Sequence, residues 1–451
     1  MKNILTVALL ICLTHFSQAQ IWEPHPVNFP TPTQGWRITP ATDSVAWTFG
    51  FVLDSVGEYT ESDYSYSRTT DGGNTWTVGT FPGIQQNGWL SSIFAKGPND
   101  AWIAFYDYSE GGKIFRTSDG GQSWEQMDAP IADVYVSAIY FWDKDHGMVW
   151  GDPIDSLFSI FTTSDAGLSW QKVDENHMPR PIDNEEYTIS GNYAVSGDNI
   201  WFDTYYNRVF YSPDRGLSWS VWDSPTSTHN GIDLKADEDN YLYYIQIAET
   251  PEGETSYELY RRHPEETDWT NLTPTDNSKY ISGFAHVPGT KTLLSNLADE
   301  TRLSYDHGET WISVDMDTSF VRGFASFVND HVGYCCQVPY WPLGYEHPTE
   351  YVYKYIGSPL LGLLKHKPID ISMTLYPNPA SDHLKLNISG IQPTDYWILI
   401  NDLSGHLIFK TEITNEASFE KIIDVSTLAK GSYIITVSNS QGMQTQKFLK
   451  M

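Results

Sequence analysis

One eight-residue pattern recurs along this chain of 451 residues and constrains its fold more than any other feature. The pattern is Ser/Thr-x-Asp-x-Gly-x-Ser/Thr-Trp. It reads TTDGGNTW up to Trp76, TSDGGQSW up to Trp124, TSDAGLSW up to Trp170, SPDRGLSW up to Trp219 and SYDHGETW up to Trp311. Its aspartates, Asp71, Asp119, Asp165, Asp214 and Asp306, lie 48, 46, 49 and 92 residues apart. The last interval is twice 46, so one copy is expected inside it. Trp269, in HPEETDW, falls 50 residues after Trp219 and 42 before Trp311, and marks a decayed copy. The chemistry of the octet is that of a hairpin turn. The Asp carboxylate accepts from backbone N–H groups ahead of it, Gly takes the positive φ, the hydroxyl ties the arms together, and Trp plugs the sheet.

A second unit precedes each octet: an apolar run, a polar turn, then another apolar run. Examples are SSIFAKGPNDAWIAF from Ser91 and TISGNYAVSGDNIWF from Thr188. Seven such units stand against six octets, counting the decayed one. The mismatch resolves if the last unit borrows its fourth strand from the N-terminus. There IWEPHPVNF at Ile21 resembles the strand that comes after an octet, as in SWEQMDAPI from Ser123. It would pair beside TEYVYKYIG at Thr349 and remove both open sheet edges. The expectation is an all-β chain whose residues 20–358 form a seven-bladed β-propeller. A six-bladed ring would leave the N-terminal unit unpaired.

The ends of the chain read differently. Lys2, the apolar run Ile4 to Leu13 and the small residues Ser17 and Ala19 make residues 1–19 a signal peptide cleaved after Ala19. Ile11 before Cys12 is too bulky for a lipid-attachment signal. No later run approaches the ~20 apolar residues of a membrane span. A formal net charge of -30 excludes nucleic acid and anionic membrane as partners. Cys335 and Cys336 are adjacent, so no long-range disulfide framework is expected; two buried free thiols are favoured over a strained vicinal disulfide. Residues 359–372 read as a linker. Residues 373–451 carry seven short alternating strands, the pattern of a small β-sandwich.

That last stretch resembles the type IX secretion C-terminal sorting domain in its Tyr-Pro-Asn-Pro-Ala start at Tyr376, its Asp-Leu-Ser-Gly-His turn at Asp402, its Leu-x-x-Gly-Ser-Tyr strand at Leu428 and its basic KFLKM end. The resemblance implies engagement of the type IX machinery through 373–451 and secretion or anchoring at the outer cell surface. The octets resemble the Asp boxes, or BNR repeats, of sialidases and other propellers. In these families the boxes sit away from the usual ligand face, so Asp71, Trp76, Asp119, Trp124, Asp165, Trp170, Asp214, Trp219, Asp306 and Trp311 are architecture.

Sialidase chemistry needs three arginines around a carboxylate. Of ten arginines, Arg68, Arg116, Arg215 and Arg302 lie in or beside boxes. The Arg-Ile-Pro signature is only approached, by Arg37-Ile38-Thr39-Pro40. Spans such as Gly147 to Trp170 and Asn199 to Trp219 are more similar to exported relatives of the photosystem II assembly factor propeller, a protein-interaction scaffold in its photosynthetic members.

Two long loops are the candidate ligand sites. One, Asp174 to Tyr187, offers Arg180, Glu185 and Glu186, with His177 and Asp183 beside them. The other, Gln337 to Glu350, offers Tyr340, Trp341, Tyr345 and His347. Exposed aromatics stack on sugars or anchor proteins. His177 and His347 are isolated, so no metal site is expected; no calcium-loop pattern or cofactor motif is present. The expected function is a glycan- or protein-binding scaffold. The alternative is a glycoside hydrolase, whose paired carboxylates cannot be singled out among 57 acidic residues.

Overall fold

The structure is a computed structural model that describes residues 21–30, 33–53, 59–62, 64–81, 87–128, 131–183, 185–225, 231–249, 255–273, 281–297, 300–315, 322–337, 351–357, 360, 371–389, 394–402, 407–416, 418–439 and 442–451. The segment read as a signal peptide, most of the stretch read as a linker and the 338–350 loop lie outside them. Among the described residues one 3-10 turn, Glu175–His177, interrupts an all-β chain.

Residues 22–355 form seven antiparallel sheets among the described residues. Blade 1 begins with Thr33–Pro40, blade 2 with Gly88–Lys96, blade 3 with Val136–Phe141 and blade 4 with Thr188–Ser196. Blades 5, 6 and 7 begin with Gly231–Ala236, Ile281–His286 and Arg322–Phe327. Each of these inner strands packs against the next, and that of blade 7 packs against that of blade 1, so the sheets close into a ring. Outward from each, the strands follow in chain order in blades 1 to 6, with an extra strand, Tyr59–Ser62, in blade 1. In blade 7 the fourth strand is Trp22–Pro26, paired antiparallel with Tyr351–Tyr355 in the register Trp22↔Tyr355. The N-terminal strand therefore closes the ring. Trp22 is fully buried, and its indole N–H donates to Thr301 Oγ1 of blade 6 at 3.1 Å.

The octets occupy the turn between third and fourth strands. In the first, Asp71 Oδ1 accepts from Thr75 N–H at 2.9 Å, its Oδ2 accepts from Thr75 Oγ1 at 2.7 Å, and Thr69 Oγ1 accepts from Gly73 N–H at 2.9 Å. The same bonds recur around Asp119, Asp165, Asp214 and Asp306. The glycine column has φ between +84° and +90°. At Gly121 the close approach matters as much as φ: an added Cβ would lie 2.3 Å from Tyr66 Oη. In blade 5 the turn chemistry has changed, with Glu266 Oε2 accepting from His263 N–H at 2.9 Å, yet Trp269 still packs, its indole N–H on Asp223 O at 2.9 Å. Blade 7 needs no octet, because its third and fourth strands come from opposite ends of the chain.

Beyond the ring, two further sheets face each other. One holds Ser372–Tyr376, His383–Ser389 and Phe419–Asp424; the other holds Thr394–Asp402, Leu407–Glu416, Gly431–Asn439 and Gly442–Lys450. Leu384, Leu386, Ile398, Ile400, Ile435 and Val437 fill the space between them. Those are the seven strands read from the sequence. Cys335 and Cys336 are buried in blade 7 and are not joined in a disulfide, and burial pushes the Cys336 thiol up to about 12.

Candidate functional site

Antiparallel blades have two ends. The octet turns share one end with the turns joining first to second strands. The turns joining second to third strands, and the connections between blades, share the other. At that second end, blades 2, 3 and 4 build a rim that carries five tyrosines.

In blade 2 the rim starts from a tight turn organised by Asp107. Its Oδ1 accepts from Ser109 N–H at 2.8 Å, Ser109 Oγ at 2.7 Å and Glu110 N–H at 3.1 Å, while Lys113 Nζ donates to Oδ2 at 3.2 Å. The Ser109 hydroxyl and the other donors hold this buried carboxyl down at about 2, against the cost of its burial. The turn presents Tyr108 with 63% of its surface exposed. The Tyr106 ring lies 6.1 Å from that of Tyr108 and 5.0 Å from that of Tyr135 in blade 3. Tyr135 Oη bonds Ser190 Oγ of blade 4 at 3.1 Å. The file ends at Tyr187 and Tyr205, joined by the Tyr205 N–H on Tyr187 O at 3.0 Å and exposed by 46% and 52%.

Two carboxyls lie along this rim, and a third, Asp233, lies beyond it on the inner strand of blade 5. A register shift between Gly151 and Pro153 places half-buried Asp152 at the end of blade 3's second strand. Its Oδ1 accepts from Thr188 N–H at 2.9 Å and Thr188 Oγ1 at 3.0 Å. Burial outweighs both bonds and raises this carboxyl to about 6. Asp203, at 0% exposure, accepts from Asn192 Nδ2 at 3.0 and 3.1 Å. Burial, reinforced by the charge of Asp233, pushes it up to about 8 despite the Asn192 bonds. Asp203 is therefore mostly a neutral acid at pH 7. Asp233, also buried, pairs with Lys235.

The candidates chosen from sequence fall out unevenly. Glu186 is completely buried. It takes both Arg208 Nε, at 2.8 Å, and Arg208 Nη2, at 2.5 Å, with Thr204 Oγ1 at 2.9 Å and Ile182 N–H at 2.7 Å. All its acceptor capacity is used, so it anchors the 174–187 loop. Arg180 is exposed and reaches Glu175 Oε2 at 3.0 Å. Glu185 is exposed, its N–H on Asp183 Oδ1 at 2.8 Å. The loop thus supports the rim at Tyr187, whose N–H donates to Glu185 O at 2.8 Å. Tyr340, Trp341, Tyr345 and His347 lie outside the described residues. His177 sits in the 3-10 turn with its carbonyl on Trp219 N–H at 2.8 Å. Among the described residues no three His, Cys, Asp or Glu side chains are grouped to hold a metal.

No three-arginine clamp forms among them either. Arg208 is held by Glu186, Arg302 by Glu300 and Arg261 by Glu309. Arg37 faces the central channel. Tyr108 and Tyr205 escape notice in the sequence because their turns, FYDYSEGG and FDTYYNR, are short. The signal was present: each places an exposed aromatic at the end of a second strand.

Similarity to known proteins agrees with this architecture. The structure is similar to a solved structure of YCF48 bound to D1 peptide, at 17% identity and TM-score 0.54, covering 75% of this chain and 96% of that one. It is similar to YCF48 from Cyanidioschyzon merolae at 14% identity and TM-score 0.54, covering 74% and 99%. At these identities the likeness is one of fold. A xyloglucanase from Paenibacillus sp is 26% identical over 284 residues, 58% of this chain but 25% of its own length. The chain thus spans about a quarter of the curated relative it matches. No helix among the described residues is long and apolar enough to cross a membrane. Residues 374–451 match the secretion system C-terminal sorting domain, so this propeller carries a type IX export address for secretion or the outer cell surface.

Proposed function

We propose that the exported propeller is a glycan-binding protein whose tyrosine rim holds a sugar chain across blades 2 to 4. The observation that supports this reading is the exposure of Tyr108, Tyr187 and Tyr205 around half-buried Asp152. Tyrosine rings stack on the C–H faces of sugars, and a carboxyl beside them accepts from sugar hydroxyls. The rim is rigid, because each ring is carried by a strand end or a tight turn.

The similarity to a xyloglucanase and the raised carboxyl of Asp152 favour a second reading, a glycoside hydrolase. A glycosidase requires two carboxyls that reach the substrate. Of the two raised carboxyls at this rim, Asp203 is sealed at 0% exposure and only Asp152 is accessible. Binding is therefore the better supported function.

The test uses the full chain against a polysaccharide panel that includes xyloglucan, with affinity and released sugars both measured. Retention of a polysaccharide that is lost in Tyr108→Ala and Tyr205→Ala, without sugar release, is the expected result. Release that disappears in Asp152→Asn would replace this reading with the hydrolase. No retention on any member would end the glycan reading.

A further inference from the structure

The central channel contains a second, chemically different site that the tyrosine rim does not use. A cavity of about 270 Å³ is lined by the later halves of the inner strands, with Arg37, Lys235, Ser92, Gly191 and Tyr193 among its walls. Those halves run toward the octet end, opposite the rim.

The charge balance inside is unlike that of the rest of the molecule. The chain as a whole has a formal charge of -30. Here two cations share one carboxylate: Lys235 Nζ lies 2.5 Å from Asp233 Oδ1 and Arg37 Nη1 lies 3.6 Å from the same oxygen. Neighbouring Asp203, raised to about 8 chiefly by burial, offsets neither at pH 7. The cluster therefore carries an excess of one positive charge on two partly buried cations.

Arg37 is also poorly satisfied. Its guanidinium lies 4.4 Å over the Phe324 ring, which supports one face. Its buried Nε has no hydrogen-bond partner among the described residues. A buried charged donor without an acceptor has lost its water and gained nothing in return, a cost that a ligand oxygen would recover. The space beside that nitrogen is kept open by Gly191, at φ +65°, where an added Cβ would stand 3.8 Å from Arg37 Nε. Burial and the Arg37 charge also lower the affinity of Lys235 for its proton, against the attraction of Asp233. A bound anion would reverse that shift.

We propose that this channel is a binding site for a single carboxylate group, held by the guanidinium of Arg37 and the ammonium of Lys235. One net positive charge matches one carboxylate, and the planar guanidinium presents paired N–H donors to two oxygens. The arrangement differs from a three-arginine clamp, since Arg208 and Arg302 are committed to Glu186 and Glu300.

The experiment is calorimetric titration of the full chain at pH 7 and low salt with D-glucuronate, with its neutral amide D-glucuronamide, and with inorganic phosphate. Glucuronate is expected to bind and glucuronamide not to bind. Arg37→Gln and Lys235→Gln are each expected to weaken glucuronate on the order of tenfold or more. Tyr108→Ala should leave it unchanged, so failure here is separable from failure of the rim. The ligand comparison on the wild-type chain needs no variant to fold. Equal binding of acid and amide, no binding of the acid, or unaltered binding in folded variants would overturn the site. Preference for phosphate over glucuronate would overturn the assignment to a carboxylate.

Discussion

Asp203→Asn should make the propeller more stable at alkaline pH and leave it nearly unchanged in acid. The folded carboxyl ionises at about 8, because it is fully buried and close to Asp233. In the unfolded chain an aspartate ionises at about 3.9. A group raised on folding contributes most below its unfolded value, and that contribution is lost as pH rises through the folded one. Each pH step between the two values costs the folded state about 1.4 kcal/mol, so the loss is about 1.5 kcal/mol at pH 5 and on the order of 5 kcal/mol at pH 8.5. Asparagine removes the titration but keeps the shape, and its amide still accepts from Asn192 Nδ2, now 3.0 Å from Asp203 Oδ1. The raised carboxyl of Asp152 acts in the same direction in both proteins and cancels from their difference. The assay is urea unfolding followed by tryptophan fluorescence, since of the 17 tryptophans only Trp397 lies beyond residue 358. The advantage of the variant should grow by several kcal/mol between pH 5 and 8.5. A difference that stays within about 0.5 kcal/mol across that range would refute the buried neutral acid.

Other substitutions separate architecture from surface. Glu186→Ala should cost about 3–5 kcal/mol, because it strands the Arg208 guanidinium, whereas Arg180→Ala, breaking an exposed pair with Glu175, should cost less than about 1 kcal/mol. Thermal unfolding of the two variants checks the contrast. Gly121→Ala should lower stability by about 1–3 kcal/mol, since its backbone is at φ +87° and the new methyl would meet Tyr66 Oη; a neutral result would mean the box can shift. The Ser123 hydroxyl and amide with Thr117 hold Asp119 down at about 2, so its contribution is complete above pH 4 and is lost as pH falls through about 2. An NMR titration of that carboxyl near 4 would contradict it.

The repeat was legible in the sequence because its chemistry is local. An aspartate, a glycine at positive φ and a hydroxyl within eight residues make a turn by themselves, and their spacing sets the length of a blade. The closing strand at Trp22 was legible for a related reason: a count of seven hairpins against six octets leaves one strand to be supplied from elsewhere. The sorting domain, too, declared itself through contiguous motifs. The sites did not. Glu186 looked like a free loop carboxylate until the fold brought Arg208, 22 residues away, against both its oxygens. Tyr108, Tyr135 and Tyr205 belong to three different blades, and Arg37, Asp233 and Lys235 to two, so no local pattern joins them. What the sequence by itself determined is the short-range chemistry of turns, strands and address signals. Only the tertiary structure decided which side chains meet at the ring's two ends, and which lose water there. Burial changes the charge of Asp203 and leaves Arg37 short of a partner, and burial is a property of the whole ring rather than of any segment.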